Sequence, residues 1–283
     1  MKAHLYKLEC LTNLHVGSGD TNYNIIDQEV ERDPITEYPV IHSSGIKGAL
    51  LDAAKATLST DAKEALVDRK KYNSLSDVDK EKISSLDYIF GKGGDREQGN
   101  PGAYKFFEAK LLTRPLRVGN NSKIAYVPVT TVQAINDFIE LTNAFGCGKI
   151  SEKISVDFKK SNSEKTYKFL VSNADIRNIE GETDIGLLDV AVVNLLKPIL
   201  GDFAIVPNFD DYSLPSVARN YLNNGVSKNL WYEEFVPHHS VLYMIILTPD
   251  ETINSDFEAL LSSVIQFGGN ASVGNGFIRI IEL

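Results

Sequence analysis

The amino-acid sequence predicts an α+β fold, and three observations carry that prediction. Apolar residues alternate at period two in an opening segment, recur at helical spacing in the next, and repeat a strand, helix, strand order at the end of the chain.

The opening segment, residues 2 to 11, places His4, Tyr6, Leu8 and Cys10 on one face, as a half-buried strand does. It ends at a glycine-bearing loop, His15-Val-Gly-Ser-Gly-Asp20. A polar loop holding Asp27 and Arg32 then leads through Pro39-Val-Ile into Ser43-Ser44-Gly45-Ile46-Lys47-Gly48. Ile46, Ala49, Leu50, Ala53, Ala54 and Leu58 next share one face, which predicts a helix capped by serine. Residues 59–102 are polar and charged, with a run at 77–82 and then Gly91, Gly93, Gly94, Gly99 and Gly102, which predicts a mobile insertion.

A strand is expected at 103–112, with Phe107, Ala109 and Leu111 inward, and Val132, Ile135, Phe138, Ile139 and Thr142 mark a second helical face. A strand at about 165–171 and an almost wholly apolar helix at 187–200 follow. The end of the chain reads as a strand at 240–247, a helix through Ile253, Phe257, Leu260, Leu261 and Val264, a glycine-rich loop at 268–276 and a strand at 277–283. With the opening strand and helix this outlines βαβ–βαβ, a ferredoxin-like sheet with helices on one face. The 283 residues hold no Pro/Ser-rich linker, so they read as one domain with large insertions.

Hydrophobic residues make up 43% and charged residues 24%, the balance of an ordinary globular protein, and the longest aliphatic run, Val241 to Leu247, suits a buried strand and is too short to cross a bilayer. The N-terminus has no signal-peptide core, so a cytoplasmic protein is expected. Cys10 and Cys147 form no CxxC pair, which supports neither a zinc knuckle nor a disulfide framework and predicts buried free thiols. The 29 basic against 38 acidic side chains give a net charge of −9, so any RNA site must be a local cationic groove on an acidic body.

Several groups can carry chemistry. A helix opening at Ser43-Ser44-Gly45-Ile46-Lys47 exposes unpaired N–H groups beside a lysine and can hold a phosphate; the alternative is a capped helix with a solvated lysine. The Gly268–Gly276 loop follows a helix and precedes the last strand, the wrong order for a dinucleotide loop. It can lay bare backbone against a phosphodiester or against the Ser44–Gly45 turn, or be a simple tight loop. The carboxylates around Asp27 read either as solvated surface or as a site where Asp27 holds a hydrated divalent ion or positions a ribose 2′-hydroxyl. His15 reads as a general acid or as a structural histidine, and the adjacent His238 and His239 lack metal-ligand spacing. The segment from Arg219 through Lys228, Trp231, Tyr232 and Glu233 mixes cationic, amide and aromatic groups as single-stranded RNA contacts do, unless Trp231 and Tyr232 are core anchors. P-loop, nucleophile-elbow and H-E-x-x-H motifs are absent from the sequence.

Three blocks in this order, His15-Val-Gly-Ser-Gly19, Pro39-Val-Ile-His-Ser-Ser-Gly-Ile-Lys-Gly48 and Gly268-Gly-Asn-Ala-Ser-Val-Gly-Asn-Gly-Phe277, resemble the RAMP superfamily of CRISPR proteins. Ile25-Ile-Asp27-Gln-Glu-Val-Glu-Arg32-Asp33 and Asn229-Leu-Trp-Tyr-Glu-Glu-Phe-Val-Pro237 look like the backbone subunits of the type III-B effector, the Cmr complex. The resemblance implies an RRM-like palm from about 1–58, 103–115 and 240–283, a fingers insertion at about 59–102, and an insertion at 116–239 whose thumb hairpin comes from around 207–228. It implies copies stacked along a guide RNA beside other subunits of the Cmr effector, and a metal-dependent endoribonuclease, active within that complex, that cuts target RNA at regular intervals.

On this resemblance Asp27 is the cleaving aspartate and the ligand of a magnesium or manganese ion, with His15 and Glu233 as helpers. Ser44, Gly45 and Lys47 contact the guide, facing Gly268, Gly269 and Asn270, and Arg219 and Lys228 add further RNA contacts. Attack by the target's own 2′-hydroxyl leaves a 2′,3′-cyclic phosphate and a 5′-hydroxyl. The alternatives are a purely structural RNA-binding subunit of the same complex and a free-standing endonuclease that processes guide precursors.

Overall fold

The computed structural model describes residues 1–17, 19, 26–92, 99–117, 125–156, 167–168, 175–176, 190–206, 208–209, 213–249 and 253–283. In chain order the main elements are β1 (Lys2–Cys10), α1 (Ser43–Ala56), α2 (Thr60–Val67), α3 (Asp77–Phe90), β2 (Ala109–Arg117), β3 (Tyr126–Thr131), α4 (Val132–Ala144), α5 (Val190–Leu200) and β4 (Ala204–Val206). They continue with β5 (Ser216–Asn223), β6 (Val226–Glu234), β7 (Val241–Thr248), α6 (Ser255–Leu261), β8 (Val264–Gln266) and β9 (Phe277–Glu282).

The main sheet runs β4-β3-β2-β7-β1-β9-β8, with the short strands Val40–Ile41 on β2 and Lys105–Phe106 on β7. β1 lies between β7 and β9 and is antiparallel to both, with Tyr6 opposite Met244 on one side and Glu282 on the other. Side chains alternate across a strand, so β1 and β7 feed two cores at once. Tyr6, Leu8 and Cys10 meet Leu242, Met244 and Ile246 beneath Ile46 and Leu50 of α1 and Phe257 of α6. Leu5, Tyr243 and Ile245 point the other way, against Ile135 and Phe138 of α4 and Leu196 of α5.

Helices therefore cover both faces of the sheet, where the pattern predicted one. The reason lies in β7, whose Val241-Leu-Tyr-Met-Ile-Ile-Leu run is apolar at both parities, as a strand buried on both sides must be.

Other expectations also need correction. The cap of α1 is His42, with no side-chain cap bond, and Ser43 and Ser44 lie in the first turn. Pairing of Val40–Ile41 with Lys110 and Ala109 makes His42 the residue where the chain turns from strand to helix. The segment expected as a mobile insertion carries α2 and α3, each capped by serine: Ser59 accepts from the Ala62 N–H and Ser76 from the Asp79 N–H. Asp77 and Asp79 suit the positive end of α3, and Leu58, Ala62, Ala65, Leu75 and Ile83 form a small core of their own. Gly93 and Gly94 lie outside the described residues.

The strand expected at 103–112 is broken. Lys105–Phe106 pairs with β7, β2 starts at Ala109, and Phe107 turns to the α4 side, 4.8 Å from the ring of Phe145. Ser262 and Ser263 hydroxyls bond the carbonyls of Glu258 and Leu260 and end α6, so exposed Val264 starts β8 rather than continuing the helix. Of the strand expected near 165–171 only Tyr167–Lys168 is described, paired with Asp175–Ile176; residues 187–189 of the predicted helix lie outside the described residues. Cys10 is buried, which pushes its thiol up to about 12, whereas Cys147 is only half-buried and its Sγ lies 3.5 Å from the Thr142 carbonyl. Among the described residues no helix is long and apolar enough to cross a membrane.

Candidate functional site

β5 and β6 form a separate two-stranded hairpin, closed by Asn224 and Gly225 at φ 51° and 78°. Two consecutive left-handed residues match the right-handed strand twist, and Asn-Gly is the pair that adopts them most readily. Tyr221, Leu222, Val226 and Leu230 stay exposed along it, and Lys228 sits in the exposed half near its tip. Trp231 and Tyr232 belong to this hairpin and are not core anchors.

The base of the hairpin is tied to the segment that carries Asp27. Gln28 donates its N–H to the Tyr232 carbonyl at 3.1 Å, and Glu234 donates to the Gln28 carbonyl at 2.9 Å. Asp27, partly exposed, accepts the Tyr232 N–H on Oδ2 at 2.8 Å, and its Oδ1 has no hydrogen-bond partner among the described residues. Glu234, 4% exposed, accepts from the Val30 N–H at 3.1 Å and from Arg32 Nη2 at 2.7 Å. The Glu31 N–H reaches the Val16 carbonyl at 2.7 Å, so the strip from Asp27 to Arg32 is held on both sides.

His15 is buried, with Nδ1 2.6 Å from the Glu234 carbonyl; a carbonyl only accepts, so Nδ1 carries the proton of that bond. Glu233 is buried too and takes three donors: Trp231 Nε1 at 2.9 Å, Arg219 Nε at 3.0 Å and Asn270 Nδ2 at 2.9 Å. Burial raises its carboxyl, but the hydrogen bonds from Trp231 and Arg219 and the Arg219 charge prevail and hold it below the ordinary range.

The glycine-rich loop closes the site from the other side. Gly269 donates to the His15 carbonyl at 2.8 Å and Gly276 to the Asn13 carbonyl at 2.7 Å. Gly268 sits at φ 72°, and a Cβ there would lie 2.2 Å from the His15 oxygen, so only glycine allows this approach. Gly268 and Gly45 line one groove of about 300 Å3 with Ala49, Asp52, Ala53 and Gln266. Ser44 and Gly45 are exposed at its edge, and Lys47, half-buried on the next turn, has no ion-pair partner among the described residues.

His15, Asp27, Glu233, Arg219, Gly268, Gly269 and Asn270 thus converge where hairpin, strip and loop meet. Ser44 and Gly45 lie across the groove, and Lys228 stands apart near the hairpin tip. Glu234 and Asn13 were not singled out from the sequence, because nothing in a local pattern distinguishes a buried clamp from one more loop acid or amide. Among the described residues no group of three or more His, Cys, Asp or Glu side chains could hold a metal ion.

The RAMP superfamily model matches residues 7–279. A relative from Pyrococcus furiosus, described as the CRISPR system Cmr endoribonuclease Cmr4, is 29% identical over 99% of this chain and 95% of its own. The crystal structure of oligomeric Cmr4 from Pyrococcus furiosus is similar to the fold with a TM-score of 0.62 at 23% identity, covering 100% of this chain and 98% of that one. A chain of the cryo-EM structure of a type III-B Cmr-beta complex bound to cognate target RNA has a TM-score of 0.63 at 18% identity, covering 100% and 97%.

Proposed function

The chain belongs to the RAMP superfamily, and on that premise we propose that it is the guide-RNA-binding backbone subunit of a type III-B CRISPR effector, which cleaves complementary target RNA at regular intervals with Asp27. The observation that carries the reading is the placement of Asp27: its carboxylate keeps one oxygen without a partner among the described residues, at the base of a projecting hairpin whose Glu233 is tied to the glycine loop that faces the Ser44–Gly45 turn. The relatives' names support it, one being an endoribonuclease of the Cmr system and one a Cmr complex with target RNA. The sheet order β2-β7-β1-β9, with α1 and α6 on one face, supports a ferredoxin-like, RRM-like palm, and the β5–β6 hairpin supports a thumb at 216–234 in place of the expected 207–228.

In this reading the backbone N–H groups at the start of α1 and the Lys47 ammonium hold guide phosphates. Other copies of the chain and further effector subunits continue the groove. Asp27 Oδ1 orients the target's 2′-hydroxyl and accepts its proton as that oxygen bonds to the adjacent phosphorus; the bond from phosphorus to the 5′-oxygen breaks, solvent water protonates the departing oxygen, and a 2′,3′-cyclic phosphate and a 5′-hydroxyl remain. Magnesium or manganese suits a single carboxylate oxygen only if RNA phosphate and water supply the remaining ligands, as is usual for such hard cations. When bound, the ion would offset charge building on the phosphate.

Glu233, saturated by three donors and held deprotonated, and His15, bonded through Nδ1, act as positioning residues that fix hairpin and loop around Asp27. The competing, purely structural reading has one observation in its favour, the Tyr232 N–H that Asp27 caps. Asp27→Asn separates the two, because the amide oxygen still accepts that N–H while the charge is gone. Loss of target cleavage by the reconstituted effector with this variant, guide binding intact, is the result expected; unchanged cleavage would favour the structural reading.

A further inference from the structure

His238 and His239 are absorbed by neither the cleavage site nor the guide groove, yet the structure arranges them with care. They lie in the turn between β6 and β7, where the Ser240 N–H closes on the Pro237 carbonyl at 3.2 Å. His239 is held at φ 68°, a left-handed conformation that a side chain bearing Cβ adopts only at a cost. Its N–H is anchored on the Cys10 carbonyl at 2.7 Å. In that position its ring lies flat on Tyr126, 5.0 Å between centroids and 10° between planes. The His238 ring packs against His239 at 4.6 Å, and Asn13 Oδ1 holds both its backbone N–H, at 3.0 Å, and its Nδ1, at 3.2 Å.

The result is a stacked Tyr126–His239 pair at the surface with the His238 ring tilted 57° against it, Tyr126 being 37% exposed and both histidines exposed. Rings stacked in the open gain less from burial than rings in a core, so strain at His239 is ill explained by stability alone. The chemistry nearby also differs from that of two other histidines. His4 faces Glu282 and His42 faces Glu31 and Glu108, whereas neither His238 nor His239 lies within ion-pair distance of a carboxylate among the described residues. The cluster is continuous with the candidate RNA face, because the Asn13 that fixes His238 also accepts the N–H of Gly276 from the glycine loop.

We infer that Tyr126 and His239, with His238 tilted against them as a flank, form a base-stacking subsite that takes one unpaired nucleobase of bound RNA, extending the stacked pair by one member. The inference rests on the RNA-binding reading above. Flat rings without adjacent carboxylates recognise a base face with little regard to sequence, as aromatic platforms on single-strand binders do. The guide and the target strand offer the same chemistry, and the test separates them.

Effector complexes are reconstituted with 2-aminopurine placed in turn at each position of the guide or, in a second series, of the target. Fluorescence is compared between wild type, Tyr126→Ala and His239→Gly, the glycine keeping the left-handed turn while removing the ring; Tyr126→Phe serves as the variant that should behave as wild type. The subsite predicts one position per subunit repeat, in one of the two strands, whose quenching is lost in both ring-removing variants. RNA affinity per stacked base should fall roughly 5- to 100-fold. RNA bound with wild-type quenching at every position would overturn the subsite, and so would loss of a protein subunit from the complex without change in quenching. Failure of the wild-type complex to bind guide at all would instead sink the RNA-binding reading on which the subsite rests.

Discussion

Replacing Glu234 by alanine should uncouple the Asp27 strip from the hairpin while leaving the guide groove intact. Glu234 is 4% exposed and makes two bonds to the strip, to the Val30 N–H at 3.1 Å and to Arg32 Nη2 at 2.7 Å. Truncation leaves the Val30 N–H without its partner, worth about 1–3 kcal/mol. It also strips Arg32 of its counter-charge. A fully buried pair broken this way costs about 3–5 kcal/mol, but Arg32 is 29% exposed and keeps its bond to the Glu37 carbonyl, so about 1–2 kcal/mol is the fitting share. The sum, about 2–5 kcal/mol, corresponds to a Tm lowered by roughly 3–8 °C for a chain of this size. Cleavage should fall further than stability, on the order of 100-fold, because an ångström of drift at a reacting group costs that much. The assay pairs thermal unfolding of the chain with guide affinity and single-turnover cleavage in the assembled effector. Wild-type cleavage in Glu234→Ala would refute the reasoning, as would guide affinity that collapses in step with cleavage.

Three further outcomes follow from the same geometry. Gly268→Ala places a Cβ against the His15 carbonyl at a left-handed φ, and should lower Tm by several degrees and detach the glycine loop, seen as faster amide exchange at Gly269. Lys47→Ala should weaken guide binding about equally for all guide sequences and reduce the salt slope by about 1, measured by titration at several salt concentrations. Glu233 is held below its ordinary value of 4.5, so its contribution to stability is full above that pH and is lost as pH falls through the depressed folded value. Denaturation from pH 7 to 3 should therefore show Glu233→Gln less stable than wild type at neutrality, with the gap narrowing as the pH falls below 4.5.

The elements with strong periodicity were legible in the sequence: β1, α1, α4 and β7 lie where their apolar spacing put them. The helix layer on the second face is not legible in the sequence, because β1 places only Leu5 on that side among its buried residues and the apolar stripes of α4 and α5 do not say which face they cover. Ser59 and Ser76 cap α2 and α3 within a stretch whose charge and glycines read as loop, whereas strand pairing of Val40–Ile41 moves the start of α1 to His42, ahead of the serines. In the site, glycine blocks and Asp27 stand out locally. The buried clamps do not: Glu234 and Arg32 are about 200 residues apart in sequence, and no short-range pattern announces a contact made only when the hairpin base closes on the strip.

The central claim is that Asp27 cuts RNA, and the most direct measurement is cleavage of end-labelled, guide-complementary RNA by the effector reconstituted with magnesium, comparing wild type, Asp27→Asn and Asp27→Ala. The account predicts an evenly spaced ladder for wild type and none for either variant, with guide binding retained and the asparagine variant as stable as wild type. A ladder that survives in Asp27→Asn would contradict it and leave this chain as the scaffold on which another subunit does the chemistry.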